Sequence, residues 1–234
     1  MPKTLIIIPT YNESENIIKL IDALLENPAK PDILIVDDSS DTTSALIEAR
    51  RKGESRLFLI TRTQKGGRGS AVIEGFKFAL KRDYQRIAEM DADFSHDPKE
   101  FESLLAASGD NIVVIGSRYL KDSKILNWPL TRTIFSKCAN VYANFILRIG
   151  IHDYTNGYRI YGRRAVEQID TSKIKAAGYV VLSEIAYPLH LKGVKFIEVP
   201  TVFVNRRRGV SNFSMKEIKE AFMSVIRIRR AHGE

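Results

Sequence analysis

Residues 32–41 read DILIVDDSSD, an apolar run that changes abruptly to acidic and small polar residues. Stretches of the same kind occur at 4–9 (TLIIIP), 56–62 (RLFLITR), 86–92 (RIAEMDA) and 111–117 (NIVVIGS). They are short, rich in isoleucine and valine, and mostly apolar, which is typical of parallel strands covered on both faces of a sheet. Each is predicted to be a buried strand, and the strand in the opening stretch is predicted to cover 32–38.

Amphipathic segments separate these strands. Helical patterns are predicted at 13–27, 42–52, 69–82 and 98–107. The last of them has a clear start signal, because Asp97 can cap the helix and Pro98 fits its first turn. The alternation of strand and helix favours an α/β fold with a doubly wound, mostly parallel, Rossmann-like sheet. The 234 residues contain no internal repeat or clear linker, so a single domain over 1–234 is expected.

The pattern changes after residue 120. Residues 130–149 have helical periodicity with aromatic and basic positions, and 194–204 (VKFIEVPTVFV) read as one further strand. A basic cluster, Arg206 to Arg208, follows that strand. A helix is expected over 179–192 although Pro188 falls inside it. The chain ends in an amphipathic helix with a basic tail.

Charge and cysteine content limit the class of protein. Lys and Arg number 36 against 28 acids, a net charge of +8. This surplus indicates either a polyanionic partner or a generally basic, solvated surface. The single cysteine, Cys138, excludes an intramolecular disulfide and favours a reducing compartment. No signal peptide and no apolar stretch of about 20 residues is seen, so a protein that is soluble or rests on a membrane is expected.

Polar side chains follow the ends of several predicted strands. In open α/β sheets, ligands bind beyond the carboxyl ends of the strands. The residues delivered to that edge are Tyr11, Glu13, Asp38, Asp91, Asp93 and Arg118. Loops are polar in any protein, so for any one of these motifs ordinary loop polarity explains the polar residues as well as a binding site does. Carboxylates at several strand ends together favour a binding site.

Asp91 and Asp93 are the most informative pair. In an extended segment, side chains two residues apart project to the same side, so both carboxylates can face one ligand. They repel each other unless a cation lies near them. Hard oxygen ligands suit Mg²⁺ or Mn²⁺, which complete their coordination with water and substrate phosphates. The glycine-rich stretch 64–76 is either a phosphate-approaching loop or a flexible turn, and it lacks the P-loop pattern.

Several blocks together resemble a known family. In order they are IIPTYNESENI (7–17), ILIVDDSSDTT (33–43), KGGRGSA (65–71), MDADFSHDP (90–98), IGSRY (115–119), DYTNGYRIYGRRA (153–165), GYVVLSE (178–184) and EVPTVFVNRRRGVS (198–211). The sequence resembles the family 2 inverting glycosyltransferases of GT-A type, most closely the dolichol- or polyprenyl-phosphate mannose synthase group. The resemblance implies a nucleotide-binding half at 1–120 and an acceptor-binding half with a C-terminal helix at 121–234.

The resemblance also implies roles for individual residues. The nucleotide sugar would be held by Pro9, Tyr11, Glu13, Val36, Asp38, Asp91, Ala92, Asp93, Arg118, Arg206 and Asn212. Asp93, Ser95 and Asp91 would hold Mg²⁺ or Mn²⁺, and Asp91, Asp93 and Arg118 would serve catalysis. Arg118, Arg132 and Ser136 would hold the acceptor phosphate. Asn212 stands where relatives commonly have a phosphate-binding lysine, and 37–44 lack a usual proline and glycine.

The implied reaction is transfer of a hexose, with mannose from GDP-mannose favoured, to dolichyl or polyprenyl monophosphate. A UDP-sugar donor, carrying glucose or GlcNAc, with a polyprenyl-phosphate or sugar hydroxyl acceptor is the alternative. The enzyme would lie peripherally on the cytoplasmic face of a membrane, with a small membrane-anchoring subunit as a candidate partner. A nucleotidyltransferase would leave PTYNE (9–13) unexplained. A basic nucleic-acid-binding module would leave the carboxylates at the strand ends unexplained, so no nucleic-acid partner is expected.

Overall fold

The computed structural model of the chain describes residues 2–174, 178, 180–205 and 215–232, with the backbone alone for 215–221. The strands are β1 (Thr4–Thr10), β2 (Asp32–Asp37), β3 (Leu57–Thr61), β4 (Arg86–Glu89), β5 (Ile112–Ser117), β6 (Lys124–Leu126), β7 (Arg159–Gly162), β8 (Lys195–Pro200) and β9 (Val202–Val204).

Helices connect most of these strands. They are α1 (Ile17–Leu25), α2 (Thr43–Arg51), α3 (Gly67–Leu80), α4 (Phe101–Ala106), α5 (Leu130–Leu147), α6 (Arg163–Glu167), α7 (Val181–Leu191) and α8 (Met215–His232). A short 3₁₀ turn, Pro98–Glu100, leads into α4, and Asp97 caps it by accepting a hydrogen bond from the Lys99 amide. The expected capping role of Asp97 is therefore confirmed.

The described strands form one large sheet and a small second one. The large sheet has seven strands in the order β3-β2-β1-β4-β7-β5-β8, and β7 alone among them runs antiparallel to its neighbours. The small sheet pairs β6 with β9 in parallel. The prediction of a doubly wound, mostly parallel sheet is confirmed.

Apolar residues cover both faces of the large sheet. Along β1, Leu5 and Ile7 belong to a core cluster on one face, and Ile6 and Ile8 belong to a second cluster. All four side chains are fully buried. This two-sided burial explains why the strands read as continuous apolar runs rather than as alternating ones.

Several predicted boundaries were wrong. The segment 194–204 is two strands, because the chain changes sheets between Pro200 and Val202. The first helix begins at Ile17 rather than at residue 13, and β4 ends at Glu89 rather than at residue 92. Strands β6 and β7 were not predicted at all.

The expected helix around Pro188 is present as α7. Pro188 lies inside it, and most of the helix is buried. Tertiary burial of an apolar helix face outweighs the loss of one backbone hydrogen bond. In the part of the chain that the structure describes, none of the helices has the length and apolar character to span a bilayer.

Candidate active site

The acidic pair lies in the loop after β4. Because β4 ends at Glu89, Asp91 and Asp93 stand beyond the carboxyl end of the strand, where the chain is already turning. Asp93 accepts a hydrogen bond from the Ser95 amide at 3.0 Å, and Phe94 adopts a left-handed conformation with φ of 56°. Both carboxylates are partly exposed, and Ala92 is buried between them. The predicted location at the sheet edge is confirmed, although the segment is a turn rather than an extended strand.

A cation from α3 contacts the first acid. Arg68 Nε donates to Asp91 Oδ1 at 3.0 Å, and its Nη1 lies 3.0 Å from Oε2 of Glu89. Glu89 is fully buried and accepts a hydrogen bond from the Tyr161 hydroxyl at 2.7 Å. Burial alone would raise the pKa of Asp91, but the charge of Arg68 and the contact with His96 outweigh it and hold the pKa below its ordinary range.

A series of side-chain contacts leads from this acid toward α5. His96 is fully buried, and its Nε2 lies 3.5 Å from Asp91 Oδ2. The rings of His96 and Phe203 are 5.3 Å apart, and those of Phe203 and Trp128 are 5.4 Å apart. The Arg132 guanidinium then lies 4.1 Å from the centre of the Trp128 ring. Three packed rings therefore connect the acidic pair with a predicted acceptor residue.

The predicted acceptor residues lie near one another at the start of α5. Arg132 donates to the side-chain oxygen of Asn205 at 2.9 Å. Ser136 accepts a hydrogen bond from the Tyr119 hydroxyl at 2.6 Å. Burial raises the pKa of Tyr119, so this hydroxyl remains a donor at neutral pH. Arg132 and Ser136 are four residues apart and so share one helix face.

Arg118 is buried at the end of β5 and is held by Asp153. Its Nε and Nη2 donate to the two oxygens of Asp153, each at 2.8 Å. Nη2 also donates to the Thr155 hydroxyl at 2.6 Å. The guanidinium lies 5.4 Å from the centre of the Trp128 ring, so it borders the same aromatic group as Arg132. Its predicted phosphate contact stays a prediction.

The predicted nucleoside residues surround the ends of β1 and β2. Asp38 is bound by the Arg62 guanidinium, whose nitrogens lie 2.5 and 2.6 Å from its two oxygens. The Gly66 and Gly67 amides donate to the same carboxylate, which ties the glycine-rich loop to β2. Tyr11 is half-exposed, and the Lys65 ammonium lies 3.4 Å from the centre of its ring.

The remaining predicted residues divide into two groups. Pro9, Glu13 and Val36 lie on or next to the same two strand ends, with Val36 fully buried. Glu13 accepts a hydrogen bond from the Asn16 side chain at 3.0 Å. Arg206 and Asn212 lie outside the described residues.

The model of the family described as "Glycosyl transferase family 2" matches residues 5–170. The chain belongs to this family. Family membership makes it a glycosyltransferase and confirms the resemblance noted in the sequence.

Curated relatives of this glycosyltransferase cover almost its whole length. It is 40% identical to "Polyprenol monophosphomannose synthase" of Mycolicibacterium smegmatis, over 99% of this chain and 91% of that protein. It is 35% identical to "Undecaprenyl-phosphate mannosyltransferase" of Micrococcus luteus, over 96% and 93%. It is 34% identical to "Dolichol-phosphate mannosyltransferase" of Pyrococcus furiosus, over 99% of this chain and 65% of that protein.

Solved structures show the same fold. Glucosyl-3-phosphoglycerate synthase from Mycobacterium tuberculosis, in complex with Mn²⁺, UDP and glucosyl-3-phosphoglycerate, superposes with a TM-score of 0.65. The match covers 98% of this chain and 79% of that one at 17% identity. A complex of the same enzyme with Mg²⁺ and UDP gives 0.65 at 16% identity. At such identity the likeness shows the fold, which is the expected GT-A arrangement.

The side chains after β4 fit a hard divalent cation. Asp91 and Asp93 would supply carboxylate oxygens, and the Ser95 hydroxyl is buried without a hydrogen-bond partner in the described part of the chain. The described residues contain no group of three or more His, Cys, Asp or Glu able to hold a metal by themselves. A site of one or two carboxylates is the usual protein share for Mg²⁺, with water and phosphate as the other ligands.

Sequence reasoning missed three residues of this site: Arg68, Asp153 and Arg62. Arg68 and Arg62 pair with carboxylates 23 and 24 positions away in the sequence, and Asp153 pairs with the guanidinium of Arg118, 35 positions away. All three lie inside or next to blocks that carry the family resemblance. One signal could have found the two arginines. Clustered carboxylates need cations near them, and arginines occur in and beside those blocks.

Proposed function

We propose that this enzyme transfers mannose from GDP-mannose to the phosphate of a polyprenyl monophosphate. The observation that carries the proposal is the contact series from Asp91 through His96, Phe203 and Trp128 to Arg132. The series connects Asp91, a candidate ligand of the metal and diphosphate, with Arg132, a cationic residue that could bind the acceptor phosphate. The names of the relatives from M. smegmatis and M. luteus support this donor sugar and this class of acceptor.

The donor side requires stabilisation of a leaving nucleoside diphosphate. A divalent cation bound there would act as a Lewis acid on the departing phosphate. Asp91 and Asp93 would hold that cation, and the Ser95 hydroxyl would complete the protein's share of the ligands. Asp91 is suited to this task because its pKa lies below the ordinary range, so it is ionised at any physiological pH.

The acceptor side requires no general base. A phosphomonoester has a second pKa near 6, so it is largely dianionic at pH 7 and can attack directly. Arg132 and Ser136 would bind this phosphate and orient one of its oxygens toward the anomeric carbon. Trp128, against which Arg132 packs, limits how far that guanidinium can move.

Helix α5 offers a surface for the lipid part of the acceptor. Leu130, Ile134, Val141 and Phe145 recur along one side of the helix and are 54–73% exposed. Around Val141 and Phe145, side chains of α5 line an apolar depression of about 540 Å³. Tyr142, which also lines this depression, contacts Phe222 of α8, and the centres of the two tilted rings are 4.5 Å apart. An exposed apolar stripe beside cationic residues is typical of a helix that lies in a membrane interface.

These features support a peripheral enzyme on the cytoplasmic face of a membrane. Its net charge of +8 suits an anionic leaflet, to which basic proteins are attracted. Its single cysteine suits a reducing compartment. The acceptor phosphate would then meet Arg132 at the level of the headgroups while the isoprenoid chain remains in the bilayer.

The donor is tested by thermal shift with GDP-mannose, UDP-glucose and UDP-GlcNAc, each with and without Mn²⁺. We expect a metal-dependent rise in melting temperature with GDP-mannose and with neither UDP-sugar. Transfer is then measured from radiolabelled GDP-mannose to polyprenyl phosphate in detergent, where Arg132→Met should raise the KM for the acceptor and leave that for GDP-mannose unchanged. A rise with a UDP-sugar alone, or transfer to a free sugar hydroxyl instead, would overturn the proposal.

A further inference from the structure

We infer that Arg68 is a positioning residue that occupies Asp91 in the nucleotide-free enzyme, so that the divalent cation enters together with the nucleotide sugar rather than alone. The inference rests on the proposed role of Asp91 as a metal ligand. It concerns the order in which metal and nucleotide bind, which the proposed reaction by itself does not determine.

Three separate groups fix the Arg68 guanidinium. Nε donates to Asp91 Oδ1 at 3.0 Å, Nη1 lies 3.0 Å from Glu89 Oε2, and Nη2 donates to the Gly157 carbonyl at 3.4 Å. The side chain is only 13% exposed. A guanidinium held by two hydrogen bonds and one ion pair loses little further rotamer freedom when it binds a carboxylate.

Glu89 explains why Arg68 stays in place. This carboxylate is fully buried on β4, and a buried charge is costly unless a partner of opposite sign compensates it. Tyr161 supplies a neutral hydrogen bond at 2.7 Å, and Arg68 supplies the cation. Arg68 therefore reaches Asp91 from a position that Glu89 already requires.

A divalent cation that binds Asp91 must share this carboxylate with Arg68 or displace it, because Arg68 Nε already donates to Asp91 Oδ1. A cation arriving alone must compete with Arg68 for Asp91 Oδ1, whereas a cation already bound to a diphosphate brings oxygen ligands of its own.

Gly157 leaves the space that this arrangement needs. A Cβ at this position would meet Arg68 Nη2, would lie 2.9 Å from Arg68 Cζ, and would lie 3.3 Å from Asp91 Oδ1. Gly157 has no left-handed φ, so the close approach of Arg68 rather than the backbone accounts for glycine here. Gly157→Ala is thus a way to displace the guanidinium without changing any charge.

The experiment measures Mn²⁺ binding to the purified full-length protein without nucleotide, by electron paramagnetic resonance of free Mn²⁺. The main variant is Arg68→Met/Glu89→Gln, which removes one charge of each sign and leaves Asp91 without its cation. We expect its Kd for Mn²⁺ to fall by roughly tenfold or more, the effect of removing one neighbouring cation from a carboxylate. Lys3→Met/Asp83→Asn, which removes an exposed ion pair elsewhere, should bind as the wild type does.

Gly157→Ala provides the second variant, should the double variant fail to fold. It should also lower the Kd for Mn²⁺, though by less than the double variant does. Arg68→Lys keeps the positive charge, so its Kd for Mn²⁺ should lie between those of the wild type and the double variant. An unchanged or higher Kd in folded Arg68→Met/Glu89→Gln or Gly157→Ala overturns the inference. If Asp91→Asn leaves Mn²⁺ binding in the presence of GDP unchanged, the metal role of Asp91 fails as well, which distinguishes the two errors.

Discussion

Asp153 binds Arg118 through three hydrogen bonds, two from the guanidinium at 2.8 Å and one from the Arg118 backbone amide at 3.0 Å. Asp153 is fully buried, and the Arg118 side chain is 6% exposed. Burial by itself would raise the pKa of Asp153, but the charge and hydrogen bonds of Arg118 outweigh it and lower the pKa. The pair fixes the loop after β5 to the segment before β7.

We predict that Asp153→Asn destabilises the protein by about 3–5 kcal/mol at pH 7, because it removes the buried negative charge that accepts three hydrogen bonds from Arg118. Chemical denaturation followed by circular dichroism measures the difference. Asp83→Asn is the matched control, since its carboxylate is exposed and pairs with Lys3 at the surface. A loss as small as that of the control would contradict the prediction.

The same pair predicts a dependence on pH. Because the folded pKa of Asp153 is lowered, its stabilising contribution is present above the unfolded pKa of about 3.9 and is lost as the pH falls through the folded value. The stability difference between wild type and Asp153→Asn should therefore be smaller at pH 3 than at pH 7. Equal differences at the two pH values would show that charge is not the cause.

Asp93→Ala tests the proposed metal site. Loss of one carboxylate ligand should lower kcat by roughly two to four orders of magnitude, since the cation offsets charge on the leaving diphosphate. Thermal stability should change much less than kcat, because Asp93 is partly exposed in a loop rather than buried in the core. Asp83→Ala, three residues before β4 begins and away from the loop that follows it, should keep wild-type kcat. Retained turnover in Asp93→Ala would remove the metal from the mechanism.

The pH profile tests the acceptor. Asp91 stays ionised well below pH 5 because its pKa is lowered, so it cannot cause a loss of rate near pH 6. The acceptor phosphate can, since protonation near pH 6 removes the nucleophilic dianion. We expect kcat/KM for polyprenyl phosphate to fall below about pH 6 at saturating nucleotide sugar. A flat profile down to pH 5 would favour a different acceptor.

Sequence alone predicted the parallel half of the fold well. Strands β1, β2, β3 and β5 are apolar on both faces, so their limits could be read to within one or two residues. Strand β7 could not be read in this way, because it is four residues long and begins with Arg159. Arg159 is fully buried and donates to carbonyls of the loop before β7 and of α7, which only the folded chain brings together.

The candidate site was predicted in part for a similar reason. Asp91, Asp93 and Asp38 follow strand ends, which sequence patterns identify. The partners of these acids lie far along the chain, because Arg68 is 23 positions from Asp91 and Arg62 is 24 from Asp38. Which arginine serves which acid depends on the order of strands in the sheet. That order is a property of the tertiary fold, and no single segment encodes it.

The apolar side of α5 gives the last prediction. Val141 and Phe145 are 63% and 71% exposed, so replacing both with serine should cost the fold little. The same change should weaken binding to vesicles of anionic lipid by roughly tenfold or more, because each buried apolar side chain contributes about 1.5–3 kcal/mol.

Flotation of the protein with anionic vesicles, at low and at high salt, measures this binding. Leu46→Ser/Leu191→Ser is the matched control, since both leucines are exposed on other helices, α2 and α7. We expect the control to float with the vesicles as the wild type does and Val141→Ser/Phe145→Ser to remain below them. High salt should weaken wild-type binding without abolishing it, because screening removes the charge attraction and leaves apolar burial. If wild type fails to float at either salt, or if both double variants float equally, α5 is not the membrane-facing helix.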